Sequence, residues 1–275
     1  MERRGTQPLR GRWIVVPLDG SDDATRALPV ARRLGAVLGS ELSVVHVAQP
    51  DAADEDVRRA VGESGAHVVT DHDVAGAILH AAESRPGAIL CMASHGRGRS
   101  AGVLGSVAAD VVARAMHPVV LVGPNTVDPY VAEGDVVSCV DGSEESEASL
   151  APAAAWASVL GSAMKIVTVI EPAPIPVVPG VTPHPWHWPA SVAEDYVSRL
   201  ARDWRNDGAR VDCEVIGDPV SVVDGISEYV AAQPAALVAV ATHQRTGLAR
   251  VMISSVAAGV VRRSAAPVLV VPAPS

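Results

Sequence analysis

The strongest constraint on the fold is an internal repeat. Residues 105–122 recur as residues 254–271, and ten of the eighteen aligned positions are identical. The start of each half repeats as well, since Asp19-Gly20-Ser21 is matched by Asp141-Gly142-Ser143. A chain of 275 residues is long enough for two domains that each bury a core of their own. The sequence therefore predicts the same fold twice in tandem.

A glycine-rich stretch follows a buried strand in the first half. The run Ala88–Met92 is short and continuously apolar, which is typical of a strand covered on both faces of a parallel sheet. Four glycines follow between residues 96 and 105, and Ser106 then begins a segment with helical apolar spacing. Because glycines let backbone N–H groups approach a ligand and a helix N-terminus attracts anions, the stretch predicts a phosphate site.

These motifs resemble the universal stress protein family over nearly the whole chain, as two fused copies. The resemblance rests on Asp19-Gly20-Ser21, on Ser94-His95-Gly96-Arg97, on Gly105-Ser106-Val107-Ala108, and on the Pro-Val runs that begin at Pro118 and Pro267. It implies an α/β fold of two tandem Rossmann-like, doubly wound domains. Each has a five-stranded parallel sheet in the order 3-2-1-4-5, flanked by helices. We expect domains at residues 1–125 and 134–275, joined by a linker at 126–133.

The resemblance also implies ATP as the ligand, with or without Mg²⁺, held mainly by the first half. The family's aspartate after the first strand contacts adenosine and corresponds to Asp19. The residue corresponding to Val47 meets the adenine through its backbone. The residues expected to bind the nucleotide are Pro17, Leu18, Asp19, Val47, Met92, Ala93, Gly96, Arg97, Gly105, Ser106 and Val107.

The two halves depart from the family's phosphate motif to different degrees. In the first half Ala93 stands at the first glycine, and eight residues separate Gly96 from Gly105 instead of nine. In the second half all three glycine positions are lost, to Ala241, Gln244 and Ser254. Nucleotide binding is therefore expected in the first half, and the second is degenerate.

Several of these residues also have a plainer structural explanation. Asp19 is typical of an Asx turn at a helix start, and Arg97 is equally typical of a solvated loop. His46 is best explained as a residue at a buried strand end, because no acidic partner is evident. For His95 and its repeat His243 three roles stay open: a packing residue, a hydrogen-bond donor to phosphate, or a loop residue without a specific role.

Charge and composition exclude several classes of function. The net charge of −9 argues against general nucleic-acid binding, because the protein's field repels polyanions. No apolar stretch approaches the ~18 residues of a membrane span, and no signal peptide is evident, so we expect a cytoplasmic protein. Cys91, Cys139 and Cys213 all fall in predicted strands without a CxxC pair, which predicts reduced packing residues and no metal site.

Helix caps and edge strands complete the expected architecture. Asp22 or Asp23 is expected to cap the first helix, which runs to about Gly39, while Asp73 and its counterpart Asp218 cap the helix before the fourth strand. The last strand of each half is an apolar edge that needs cover. We expect the two final strands to pair with each other as a pseudo-dimer. A homodimer of whole chains and a protein partner of unknown identity stay open.

Three functions are compatible with the sequence. The favoured one is an ATP-binding regulatory protein of the stress response, in which ATP orders the loop Gly96–Ser106. The alternative is an ATP-independent dimerising interaction module with a degenerate site. An ATP-using enzyme is the third, but the segment after the first strand carries Asp22 and Asp23, whose charges would repel phosphate. No base–nucleophile pair is evident either, so at most slow hydrolysis is expected.

Overall fold

The computed structural model describes residues 11–50, 65–95, 104–170, 189–217, 220–242 and 254–273. The strands in these ranges are β1 (Trp13–Pro17), β2 (Glu41–Ala48), β3 (His67–Thr70), β4 (Ile89–Ala93), β5 (Val119–Val122), β6 (Asp135–Cys139), β7 (Met164–Ile170), β8 (Val211–Gly217), β9 (Ala235–Thr242) and β10 (Val268–Pro272). The helices there are α1 (Asp22–Thr25), α2 (Ala27–Leu38), α3 (Val74–Glu83), α4 (Ser106–Arg114), α5 (Glu144–Glu147), α6 (Leu150–Leu160), α7 (Ala190–Asn206), α8 (Val222–Ala232) and α9 (Ser255–Arg263).

All described strands form one sheet with the order β3-β2-β1-β4-β5-β10-β9-β6-β7-β8. Within each half every neighbouring pair of strands is parallel, so the predicted order 3-2-1-4-5 is confirmed in both halves. The winding direction reverses between β1 and β4 in the first half and between β6 and β9 in the second. Doubly wound sheets bind ligands at the carboxyl ends of the strands beside this reversal.

The two halves meet where β5 and β10 pair antiparallel. Val119, Val120 and Leu121 lie opposite Val270, Leu269 and Val268, and all six side chains are buried. Each final strand therefore covers the edge of the other, as expected from their apolar sequences. The outer edges of the sheet are β3 and β8, and β8 carries the exposed charges Asp212 and Glu214.

Helices cover both faces of the sheet and build two cores that each extend through both halves. On one face α2 and α6 are packed together with α7, and the side chains of Leu34, Trp156 and Leu200 are fully or nearly fully buried there. On the other face α3 and α4 of the first half continue into α8 and α9 of the second. Cys91 lies in the first core, and burial raises the pKa of its thiol to about 12, which is consistent with a packing role.

The segment between β5 and β6 packs against both halves. Tyr130 is buried, and its hydroxyl donates a hydrogen bond of 2.6 Å to the carbonyl oxygen of Ala236 in β9. The N–H group of Val127 donates to the carbonyl of Ala265 at 2.9 Å. Arg33 of α2 donates from Nε to the backbone of the same segment. The segment therefore joins the halves by contact as well as by covalent connection, while the limits at residues 125 and 134 stay predictions.

Two predicted helix caps are wrong. Ser21, rather than Asp22 or Asp23, caps α1, and its Oγ accepts a hydrogen bond from the N–H of Ala24 at 3.1 Å. Three successive residues could each cap a helix, and the first of them adopts the extended backbone that a cap requires.

The second correction concerns α8. Its cap is Ser221, whose Oγ accepts a hydrogen bond from the N–H of Asp224, whereas the repeat led us to expect Asp218 as the cap. Asp218 itself lies outside the described residues. Asp73 caps α3 as predicted, so its counterpart is Ser221.

We expect Tyr130 to contribute strongly to the stability of the joined halves. Tyr130→Phe should lower the free energy of unfolding by about 1 kcal/mol, because the buried carbonyl of Ala236 loses its donor. Tyr130→Ala should lower it by about 3–5 kcal/mol, because a cavity also forms. Urea denaturation measures both. The control is Val131→Ala, a half-exposed neighbour expected to cost less than ~0.5 kcal/mol. Equal stability of the wild type and the three variants would show that the segment between β5 and β6 connects the halves without stabilising them.

Candidate functional site

A cavity of about 390 Å³ lies at the carboxyl ends of β1, β2 and β4, beside the reversal of winding. Strand ends, the turn after β1 and the first turn of α4 contribute to its wall. The predicted binding residues that line it are Pro17, Leu18, Asp19, Val47, Met92, Ala93, Gly105, Ser106 and Val107. Gly96 and Arg97 lie outside the described residues.

The cavity also has walls that the sequence analysis did not assign. Ala24 comes from α1, Val74 and Ile78 lie four residues apart on α3, and Ser94, His95 and Ala108 complete the lining. The spacing of Val74 and Ile78 places both on one face of a helix, a signal that indicates burial but does not indicate against which ligand or strand.

The turn after β1 is held by Asp19. Its Oδ1 accepts hydrogen bonds from the backbone N–H of Ser21 at 2.9 Å and from the Ser21 hydroxyl at 2.6 Å. This is the Asx turn considered from the sequence, and it fixes the carboxylate at the rim of the cavity. His46 supports the same turn: it is buried, and its Nδ1 donates to the carbonyl oxygen of Leu18 at 2.8 Å. This contact supports the structural explanation of His46.

Gly105 caps α4 and offers no side chain to the helix N-terminus. Its φ of −55° and ψ of 145° are open to any residue, so a special backbone conformation does not explain a glycine here. Its N–H donates to the carbonyl of Ser94 at 2.8 Å, which places the helix start directly beside the end of β4. An α-helix leaves its first N–H groups without helical partners, and at α4 these groups border the cavity through Ser106, Val107 and Ala108.

The model of the universal stress protein family matches residues 48–123 and 134–272, more than half of the chain. The chain belongs to this family. No curated protein matches the sequence.

Solved structures of universal stress proteins share the fold. One from Archaeoglobus fulgidus has a TM-score of 0.66 and 16% identity, and the match covers 96% of this chain and 99% of the other. One from Pseudomonas aeruginosa has a TM-score of 0.57 and 18% identity, over 95% and 93% of the two chains. At these identities the likeness shows the fold alone.

A second cavity of about 170 Å³ occupies the corresponding place in the second half of this universal stress protein. Asp141 repeats the geometry of Asp19, since its Oδ1 accepts from the N–H and the hydroxyl of Ser143 at 3.0 and 2.6 Å. The helix N-terminus differs. Ser254 stands in place of Gly105, and its Oγ accepts from the N–H of Ala257 at 3.1 Å. The protein's own side chain therefore satisfies a first-turn amide that the first half leaves to the cavity.

In each half an ion pair joins the two helices of one face. Arg114 of α4 donates two hydrogen bonds to Asp73, the cap of α3, at 2.7 and 2.8 Å. In the second half Arg263 of α9 pairs with Asp224 of α8. The hydrogen bonds from Arg114, and then the N–H of Gly76, lower the pKa of Asp73 to about 2. The pair ties together two helices that both line the first cavity.

Other site chemistries find no support in the part of the chain that the structure describes. Among those residues no group of three His, Cys, Asp or Glu side chains could hold a metal ion. No helix among them could cross a membrane. Cys139 lines the second cavity, but burial raises the pKa of its thiol to about 12, so the reactive thiolate is strongly disfavoured.

The titration of Asp73 tests the ion pair. Its folded pKa lies below the usual 3.8, so the pair stabilises the fold above about pH 4 and its contribution is lost as the pH falls through about 2. We expect the carboxyl carbon of Asp73 to titrate near pH 2 by NMR. Arg114→Gln should move the midpoint back toward 3.8, because the main cause of the shift is removed. The matched control Arg263→Gln should leave it unchanged. A wild-type midpoint near 4 would contradict the pair in solution.

Proposed function

We propose that this universal stress protein is a nucleotide-dependent regulatory protein whose first half binds ATP, with or without Mg²⁺. The observation that carries the proposal is that nine of the eleven residues implied by the resemblance line one cavity, which ends at a helix without a capping side chain. Bound ATP would shift the equilibrium between two conformations of the protein and so change the surface that it presents to a partner.

The chemistry of the cavity suits the parts of a nucleotide. Val47, Val74, Ile78 and Met92 form an apolar wall of the kind that accepts a planar base. Asp19 lies at the rim as a fixed hydrogen-bond acceptor, suited to ribose hydroxyl groups. The N–H groups and the dipole at the start of α4 favour phosphate. We therefore propose that Ser106 and Val107 meet the phosphates through their backbone.

The second half has a poor site for phosphate by the same reasoning. Ser254 occupies an amide of the first turn of α9, and the cavity there has less than half the volume of the first. We therefore propose one ATP per chain.

The alternative is an ATP-independent interaction module that uses the fold for dimerisation. Ala93 favours it, because this residue stands at the first glycine of the family motif and lines the cavity, so that its methyl group borders the space that phosphate would need. Direct titration distinguishes the two functions.

Calorimetric titration with ATP is the deciding experiment, with Gly105→Asp as the test variant and Ser254→Asp as its matched control. Aspartate is favourable at a helix cap, so both variants should fold as well as the wild type. The new carboxylate at residue 105 both occupies the first-turn amides and repels phosphate. We expect saturable binding near one ATP per chain, a loss of at least about tenfold in Gly105→Asp, and unchanged binding in Ser254→Asp.

The opposite outcomes are equally clear. Absence of binding to all three proteins would favour the ATP-independent module. Two sites per chain, one of them lost in each variant, would contradict the assignment of ATP to the first half alone.

A further inference from the structure

The second cavity, the one of about 170 Å³ at the strand ends of the second half, keeps the apolar wall of the first. The strand pairs β1–β2 and β6–β7 make Val169 the equivalent of Val47. The matching caps of α3 and α8 make Val222 the equivalent of Val74. Each of these four residues lines the cavity of its own half. The second half has therefore kept the part of the site that accepts apolar groups.

The end of the second cavity at the start of α9 differs from its counterpart. The Oγ of Ser254 accepts a hydrogen bond from the N–H of Ala257, whereas Gly105 offers no side chain to the start of α4. The volume is about 170 Å³ instead of about 390 Å³. Asp141 is the one charged side chain among the described residues that line the second cavity, and its negative charge disfavours an anion. The second cavity therefore suits a ligand without phosphate.

The volume of the second cavity limits the ligand to one ring or two fused rings. Cavities of about 150 Å³ with aliphatic walls take up benzene, whereas pockets for drug-sized ligands measure about 300–1,000 Å³. The second cavity lies close to the smaller of these sizes. Its aliphatic walls include Val167, Val169, Ile226 and Val240. A flat aromatic ring buries a large apolar area in so small a space, and this favours an aromatic ligand.

Two uncharged polar side chains interrupt the apolar lining. Thr168 is the equivalent of His46 and is only 5% exposed. His46 donates to the carbonyl of Leu18, whereas the hydroxyl of Thr168 makes no hydrogen bond to any residue that the structure describes. A buried hydroxyl without a partner is unfavourable, and a ligand N–H or O–H group can supply the missing hydrogen bond. The second polar group is the thiol of Cys139, and burial keeps it protonated by raising its pKa to about 12.

We infer that the second cavity binds a small uncharged aromatic compound, of one ring or two fused rings, that carries one N–H or O–H group and no phosphate. The rings lie between the strand end at Val169 and the part of α8 that carries Val222 and Ile226. The N–H or O–H group of the ligand donates to the hydroxyl of Thr168. This ligand class differs from that of the proposed ATP site, and its binding does not depend on ATP. The second half thus has a binding site of its own.

Indole is the probe, and calorimetric titration of the full chain measures its binding. Two matched variants locate the site, because Val222 and Val74 are the first residues of α8 and α3, and each is half-buried at the wall of its cavity. Val222→Phe fills the second cavity, and Val74→Phe fills the first. We expect one indole per chain in the wild type and in Val74→Phe. In Val222→Phe binding should be weaker by at least about tenfold, because the larger side chain occupies the space of the ligand.

Indene, in which a CH₂ group replaces the N–H group of indole, tests the hydrogen bond to Thr168. We expect indene to bind the wild type about fivefold more weakly than indole does. Thr168→Val should reduce this difference to less than about twofold, because the acceptor is removed. The fold should tolerate this change, because the hydroxyl makes no hydrogen bond within the described part of the chain. Equal affinities of the wild type for indole and indene would overturn the role of Thr168.

Competition with ATP separates this inference from the proposed function of the first half. In Val74→Phe, added ATP should leave the binding of indole unchanged. Displacement of indole by ATP in this variant would overturn the inference, because the second cavity would then accept phosphate. Absence of indole binding to the wild type, or equal binding to the wild type and to Val222→Phe, would overturn it as well. A wild type that binds indole but not ATP would support the inference and contradict the proposed function alone.

Discussion

The antiparallel pairing of β5 with β10 is the interaction on which the rest of the structure depends. Each strand alone would expose a row of unpaired backbone groups flanked by valine and leucine side chains. Pairing removes both edges at once and lets the helices on each face share a continuous core across the halves. Because the pairing is antiparallel, the strands of the two halves run in opposite directions, and the two strand-end cavities lie at opposite ends of the strands. The halves are therefore bound into one body while their candidate sites remain separate.

The sequence predicts those features that depend on local pattern and repetition. Apolar runs such as Ile89–Ala93 identify buried strands. Because neighbouring strands in each half are parallel, their carboxyl ends lie side by side at the same end of the sheet. Nine predicted residues therefore share one cavity. Helix caps were less predictable. Ser21, Asp22 and Asp23 are all good caps, and the choice depends on the backbone that Asp19 fixes through its turn.

Contacts between distant segments could not be predicted from the sequence. The residues between β5 and β6 have the proline, glycine and polar content of a linker, yet Tyr130 is buried and bonds to a strand more than a hundred residues away. Local composition carries no information about that partner. The alignment of Asp73 with Asp218 was wrong for a related reason. The two halves differ in the lengths of their connections, so the offset between equivalent residues changes along the chain. The strand pairs β1–β4 and β6–β9, together with the caps of α3 and α8, identify Ser221 as the counterpart of Asp73.

The two candidate sites differ in the residue that caps the helix beside each cavity, Gly105 in the first half and Ser254 in the second. The turns at Asp19 and Asp141 have the same two hydrogen bonds at nearly the same lengths. The turn after the first strand therefore does not distinguish the two halves. Gly105 provides no side-chain cap at the start of α4, whereas the Ser254 hydroxyl accepts a hydrogen bond from the N–H of Ala257 at the start of α9. A serine cap stabilises a helix more than glycine does, and at the same time it withdraws a donor from any anion. The helix of the second half is therefore stabilised by a side-chain cap at the position where the first half has none.

Tandem fusion introduces a further asymmetry that a symmetric pair of separate copies would not have. One covalent connection joins the halves, and it packs over Ala236 and Ala265. The repeat makes Ala88 and Met116 the equivalents of these two residues, and both line a cavity of about 830 Å³ together with Gly11, which precedes the first strand. Met116 is 75% exposed there. The asymmetry of the surface therefore follows from the connectivity of the chain.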